Sequence, residues 1–342
     1  MRKGPSGIKE IAQRAGVHYS TVSRVLNPQT RTLVSEKVAE KILKIAESLS
    51  YRRNPLALGL KTSRSYTIGV IVPDLTNPVF PPIVRAIERT VGKEGYVTIL
   101  ADTDNSLDTE RAILNSMHSR QVDGLLLATA LLTDDVVKEC QKNELALVLV
   151  NRKVADEAVT SVITNDVYGI RLAVEHLVTL SHRKIAYLGG PLTTSTGKAR
   201  REGFIAAMNA YRLKADPRTM IDCPSYTIEA GQAACQKLLE GKRSFSAIVA
   251  ANDMVALGCY AAIKAAGLKC PEDISITGYN DMPLAEHLAP PLTTLRIPLT
   301  EIGEQAALLL LKKMRDPKAM LPSVHLEPML VVRGSTARYA PP

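Results

Sequence analysis

At 342 residues, with 46% hydrophobic and 23% charged side chains, the chain can bury two or three cores, and no run of about 18 apolar residues marks a membrane span. The N-terminus, MRKGPSGIKEIAQRAG, lacks the apolar stretch of a secretory signal, and the five cysteines are widely spaced with no C-x-x-C, so a cytoplasmic protein with reduced thiols is expected. The net charge of +9 is confined to one end: thirteen Lys and Arg against four Asp and Glu lie up to Arg64, and the other 278 residues carry thirty of each sign. Such segregation points to double-stranded DNA as a partner, because cationic side chains gain by releasing its condensed counterions.

The first elements lie between Ile8 and Asn27. Ile8, Ile11, Ala12 and Ala15 recur at helical spacing, Gly16 breaks the pattern, Val17 refills the core, and Val22, Val25 and Leu26 form a second stripe. Two short helices about a tight turn are the helix-turn-helix pattern, in which the second helix enters the major groove. Tyr19, Ser20, Thr21, Ser23 and Arg24 then face outward toward bases and phosphates. The neighbouring positive charge separates this reading from an ordinary helical hairpin. A third helix follows, capped by Ser35, with Val38, Ile42, Ile45 and Leu49 along one face. It completes a DNA-binding domain over 1–50.

In the segment 51–65, Asn54 and Pro55 read as an N-cap with proline at the first helical position. The helix is only about two turns long, and Gly59 costs it ~1 kcal/mol. Alone it is mostly unfolded; DNA or a partner copy would stabilise it. A plain linker is the alternative.

From Tyr66 the pattern alternates. Apolar strands are expected at 68–72, 97–101, 124–128, 147–150, 185–188, 247–251 and 275–279, with helices at 83–91, 110–119, 169–180, 199–211, 231–239 and 254–266. Strands alternating with helices predict parallel sheets covered on both faces, and their number predicts two similar lobes within 66–342.

In such sheets ligands bind beyond the carboxyl ends of the strands. The residues there are Asp74 and Asn77, Asp102 and Thr103, Asn151 and Arg152, Gly189 and Gly190, Asn252 and Asp253, and Asn280 and Asp281. They suit a polar small molecule, although each Asn or Asp taken singly is also a turn former. No G-x-G-x-x-G follows the first strand, and there is no P-loop, H-E-x-x-H or G-x-S-x-G. The six histidines are scattered, and His176 and His182, flanking a turn, read as structural. The expectation is a protein that is not an enzyme and has no cofactor and no metal.

The blocks AGVHYSTVSRVLN, IGVIVPDLTNPVF, EHLVTLSHRKIAYLGGP, AANDMVALG and DISITGYNDMPLAEHLAPPLTTLRIP, in that order, resemble the lactose-repressor (LacI/GalR) family of bacterial transcription regulators over essentially the full length. The resemblance implies a small all-α helix-turn-helix domain plus a two-lobed, periplasmic-binding-protein-like α/β core with parallel sheets. It also implies a homodimer on a near-palindromic operator. Tyr19, Ser20 and Arg24 match base-contacting positions, with Thr21, Ser23 and Asn27 completing the DNA-binding set of the head. Leu60 matches a leucine wedge in the minor groove and Ala57 a small position where two hinge helices meet. Three crossovers near Thr164, Leu295 and Leu326 would divide the core into lobes of 66–164 with 295–325 and 165–294 with 326–342. Effector positions fall on Asn77, Val79, Phe80, Asn151, Arg200, Tyr226, Asn252, Asn280 and Leu299.

The chain departs from the family at His18, where Ser usually caps the reading helix, and at Gly7, where Thr often caps the first. Asn280 replaces a common Asp and Leu299 an aromatic. With no Trp and 4% aromatics, a sugar acid becomes a candidate effector beside a plain sugar. The end of the chain carries no heptad repeat, so dimers rather than tetramers are expected. The function implied is a repressor whose operator affinity is set by a small polar effector between the lobes. A solute-binding protein and an α/β enzyme with a DNA-binding unit are the rivals; the basic N-terminal unit argues against the former.

Overall fold

The computed structural model describes residues 7–26, 30–49, 51, 64–240 and 244–340. Asn27, Ala57 and Leu60 lie outside the described residues, as does most of the segment 51–65. The chain forms two compact units, one ending at Ser65 and one starting at Tyr66.

The first unit has three helices, α1 (Ile8–Ala15), α2 (Tyr19–Leu26) and α3 (Glu36–Ser48). Ile11, Val22, Val25 and Ile42 are fully buried between them. Gly16 ends α1 in the left-handed region at φ 70°, which glycine enters without a Cβ penalty, and Val17 N–H then donates to Ala12 O. Two basic residues serve helix ends rather than the surface. Lys41 Nζ donates to Ala15 O at 2.9 Å, and Arg31 Nε to Val25 O at 3.0 Å, each meeting an orphan carbonyl at the negative pole of a helix. Ser35 occupies the N-cap of α3, but its side chain makes no capping bond. The buried face of α3 is Ala39, Ile42 and Ala46, with Val38, Ile45 and Leu49 at its margin. Small side chains at the centre let α3 approach the other two helices closely, which turns the helix slightly from the expected stripe.

The second unit begins β1 (Thr67–Val72), α4 (Phe80–Gly92), β2 (Val97–Asp102), α5 (Leu107–Ser119), β3 (Gly124–Leu127), α6 (Asp135–Lys142), β4 (Leu147–Val150) and β5 (Ser161–Thr164). It continues α7 (Asp166–Thr179), β6 (Ile185–Gly189), α8 (Ser195–Ala210), β7 (Met220–Asp222), α9 (Ile228–Leu239), β8 (Ala247–Ala250), α10 (Asp253–Ala265), β9 (Ser275–Asn280) and β10 (Thr293–Arg296). It ends α11 (Leu299–Arg315), β11 (Val324–Leu326) and β12 (Met329–Val331).

These strands make two sheets, ordered β11-β5-β4-β3-β1-β2 and β12-β10-β9-β8-β6-β7. Every pairing is parallel except β10 with β12. All residues of β3, β4, β8 and β9 are buried, in keeping with helices over both faces. The chain changes sheet after Thr164, between Arg296 and Leu299, and between Leu326 and Met329. Leu295 pairs with Tyr279 and Leu330 in the second sheet, and Leu326 with Thr164 in the first, so two expected lobe boundaries shift by a residue or two. The reason is the reach of β10, which stays in register with β9 as far as Arg296 and Asn280. No helix among the described residues is long and apolar enough to cross a membrane.

Candidate functional site

The carboxyl ends of the strands in both sheets face one cleft. At its centre is a recess of about 30 Å³ lined by Asn77, Val79, Phe80, Asn151, Arg152, Thr196, Arg200, Tyr226, Asn252 and Asn280. Eight of the nine effector positions drawn from the sequence therefore meet in one place. Leu299 does not join them: it opens α11, packs against the core of the first sheet, and lines an adjoining groove of about 650 Å³ with Ile297 and Glu301. Arg152 and Thr196 join the wall instead. Arg152 stood among the strand-end residues; nothing in the spacing singled out Thr196. The recess continues into a chamber of about 290 Å³ that shares Asn77, Phe80, Arg152 and Tyr226 and adds Asp74, Thr103, Glu110, Thr129, Thr194, Ser225 and others. The recess and its chamber together hold seven of the ten polar strand-end residues, against two in the larger groove, so they are the candidate site.

Local folding places the amides. Asn77 Oδ1 accepts from Val79 N at 3.2 Å at the entry to α4, and Asn252 Oδ1 accepts from Val255 N at 2.9 Å as the N-cap of α10. Each oxygen thereby spends one of its two acceptor sites, and the NH₂ groups remain. Asn151 and Asn280 stand at φ 63° and 113°, left-handed backbone that Asn tolerates better than most residues and that marks strain at a working site. Asp281, itself at φ 54°, accepts from Arg296 Nε at 2.6 Å and lies 2.7 Å from Arg333 Nη2, which holds that turn. Asp253 accepts from Met282 N at 2.7 Å and Thr294 Oγ1 at 2.5 Å, and burial pushes its carboxyl up to about 7. Tyr226 shares a 2.9 Å hydroxyl contact with Thr196.

Two arginines are almost fully buried here. Arg200 Nε donates to Asp166 at 2.8 Å and Nη1 to Ala251 O at 2.6 Å, while its guanidinium lies 3.8 Å over the Tyr279 ring. Burial opposes its charge, but Asp166 and the rings of Tyr279 and Tyr226 outweigh that and hold it protonated above its ordinary range. Arg152 has less support. Its Nη1 donates to Thr129 O at 3.1 Å, no carboxylate among the described residues pairs with it, and burial lowers its pKa. The Thr129 hydroxyl in turn donates to Glu110, whose carboxyl is raised chiefly by burial. Two hydrogen bonds cross the cleft, Lys153 N to Ser195 Oγ and Leu132 N to Thr193 O, both 2.9 Å, so the lobes meet in a closed arrangement. No group of three or more His, Cys, Asp or Glu among the described residues is placed to hold a metal.

In the first unit, Tyr19 is 55% exposed and Arg24 is exposed, while Ser20, Thr21 and Ser23 are half-buried on the same helix. His18 does the work expected of a Ser cap. Its Nδ1 accepts from Ser20 N at 3.4 Å and meets Ser20 Oγ at 2.8 Å, and its ring lies 4.1 Å from that of Tyr19.

Residues 7–54 match the bacterial regulatory proteins of the lacI family, and residues 65–325 match the periplasmic binding proteins and sugar binding domain of the LacI family. The HTH-type transcriptional repressor CytR of Escherichia coli (strain K12) is 33% identical over 330 residues, 96% of each chain. A lac repressor dimer bound to operator and the anti-inducer ONPF superposes with a TM-score of 0.86 at 26% identity, covering 98% of this chain and 100% of that one. A LacI family regulator from Enterococcus faecium with bound ribose gives 0.70 at 32% identity, over 80% and 100%. The chain belongs to the lacI family of bacterial regulatory proteins.

Proposed function

We propose that the protein is a cytoplasmic repressor whose hold on an operator is governed by a small polar effector in the cleft of the second unit. Two copies would bind a near-palindromic duplex, each α2 entering the major groove of one half-site. Tyr19, Ser20, Thr21, Ser23, Arg24 and Asn27 would read bases and grip phosphates. Ala57 and Leu60 would act in the minor groove through a hinge within 51–65, between a head of 1–50 and a core of 66–342 whose two lobes follow the two sheets. The effector would bias open and closed arrangements of the core, and with them the spacing of paired hinges. It carries no catalysis in this reading.

The observation that carries the proposal is the meeting of eight expected effector positions in one buried recess, on a chain whose whole charge excess belongs to a helix-turn-helix unit. The lac repressor relative was captured on operator DNA and the Enterococcus faecium relative with ribose. The test is selection of duplexes from a random pool, followed by anisotropy with fluorescent operator and candidate effectors. A selected near-palindrome released by a small molecule is the expected result; sequence-indifferent binding that no small molecule alters would refute it.

A further inference from the structure

The recess is rich in hydrogen-bond donors. Asn77 and Asn252 each spend one acceptor site of their oxygen on a backbone N–H group of α4 or α10, which leaves the NH₂ as the larger part of what each can offer a ligand. Arg152 and Arg200 line the same wall at 8% and 4% exposure. No carboxylate among the described residues lines it. The amide oxygens of Asn151 and Asn280 and the hydroxyls of Thr196 and Tyr226 can accept from a ligand's hydroxyl groups, so the two guanidiniums and the lack of a lining carboxylate, rather than a shortage of acceptors, set this recess apart.

Charge points the same way. Asp166 offsets one guanidinium by direct contact with Arg200. Among the described residues Arg152 has a single hydrogen-bond acceptor, the Thr129 carbonyl, and a buried cation so held is costly unless something negative completes its shell. Of the two acids in the chamber, Asp74 and Glu110, the charge of Glu110 favours the Arg152 cation, but its carboxyl bonds to the Thr129 hydroxyl, and among the described residues it forms no ion pair with Arg152. At about 30 Å³ the recess has room for roughly two water-sized atoms, the scale of a carboxylate's oxygens. The chamber of about 290 Å³ beyond it, with Thr103, Thr129, Thr194 and Ser225 on its walls, suits a hydroxylated body.

We propose that the effector is an oxyanion-bearing polyhydroxy compound, a sugar acid before a sugar phosphate, whose anionic head enters the recess between Arg152 and Arg200. The inference rests on the effector-controlled reading above. Calorimetric titration of the full-length protein compares D-gluconate and D-glucuronate with D-glucose, and D-ribose 5-phosphate with D-ribose. At least one anion should bind about tenfold more tightly than its uncharged counterpart, as expected for charge-assisted, bidentate capture. Gluconate or glucuronate leading identifies a carboxylate; ribose 5-phosphate leading identifies a phosphate. Arg152→Gln should abolish that preference, and Arg152→Lys should keep part of it; if neither variant folds by circular dichroism, the paired comparison on the unaltered protein decides alone. Neutral sugars binding as tightly as the anions, or no anion binding at all, would overturn the inference. A neutral sugar that releases operator would do so while leaving effector control of DNA binding intact.

Discussion

Asn252 and Asn280 each precede an aspartate that turns away from the recess into the protein. The pairing divides labour: the amide lines the recess and the carboxylate holds the turn. Asp253 does so at a cost, because burial pushes its carboxyl up to about 7 although Thr294 and Met282 support the charged form. A carboxyl whose folded pKa exceeds its unfolded value stabilises the fold fully below the ordinary carboxylate range, and that contribution is lost as pH rises through about 7. Asp253→Asn keeps an oxygen for Met282 N and offers an NH₂ to the Thr294 hydroxyl. The variant should therefore gain on the unaltered protein between pH 5 and pH 8.5, by up to a few kcal/mol on the scale of ~1.4 per pKa unit. Thermal unfolding followed by circular dichroism across that range checks it; parallel curves for the two proteins would refute it. Asn77, Asn151, Asn252 and Asn280 were legible in the sequence because strand ends in open α/β sheets converge on a cleft. The isolation of Arg152 and the anchoring by Asp166, Asp253 and Asp281 were not, since they depend on partners 15 to 52 residues away that only the tertiary structure assembles.

Among elements, the continuously apolar strands and most amphipathic helices could be read directly, and the strands that were missed are short or broken by polar residues. β7, β11 and β12 are three residues long, and β5 and β10, though no shorter than β3, β4 or β8, carry Ser, Thr or Arg in place of a continuous apolar run. Both β11 and α11 belong to the first sheet's lobe after a detour through the second, a return that local pattern does not encode. Helix contacts offer two sharp tests. Gly258 in α10 faces the backbone of α9, where an added Cβ would fall on Gln232 N and Ile228 O. Neither can yield as a side chain can, so Gly258→Ala should destabilise the core by about 2 kcal/mol or more, seen as a lower denaturation midpoint. In the head, Ile42 is fully buried against Ile11, Val22 and Val25. Ile42→Ala should remove about 2–5 kcal/mol, comparable with what so small a unit has to spare. Duplex binding should then fail while calorimetric ligand binding by the core persists; loss of both together would mean the units do not fold independently.

At the scale of the whole molecule, charge divides where the folding units divide. The residues after Arg64 carry thirty charges of each sign, so the second unit has no general attraction for a polyanion. Positive charge in the first unit is not uniformly available either, because the geometry has already assigned some of it. Arg31 and Arg24 lie near the same end of α2, yet Arg31 Nε is committed to Val25 O, while Arg24 makes no ion pair among the described residues. These two arginines should therefore behave differently. The logarithm of duplex affinity should fall linearly with the logarithm of salt, with a slope of about 0.9 per phosphate neutralised. Arg24→Gln should make that slope shallower by about one for each copy on the duplex, with the head's unfolding midpoint unchanged. Arg31→Gln should lower the midpoint, because the C-terminal turn of α2 loses its cap, and should leave the slope near its original value. Anisotropy titrations from low to moderate salt, paired with thermal melts, separate the outcomes. Equal changes in slope for both variants would mean that the capping arginine also reaches phosphate, and that the head holds DNA through its whole charged surface rather than through the exposed face of α2.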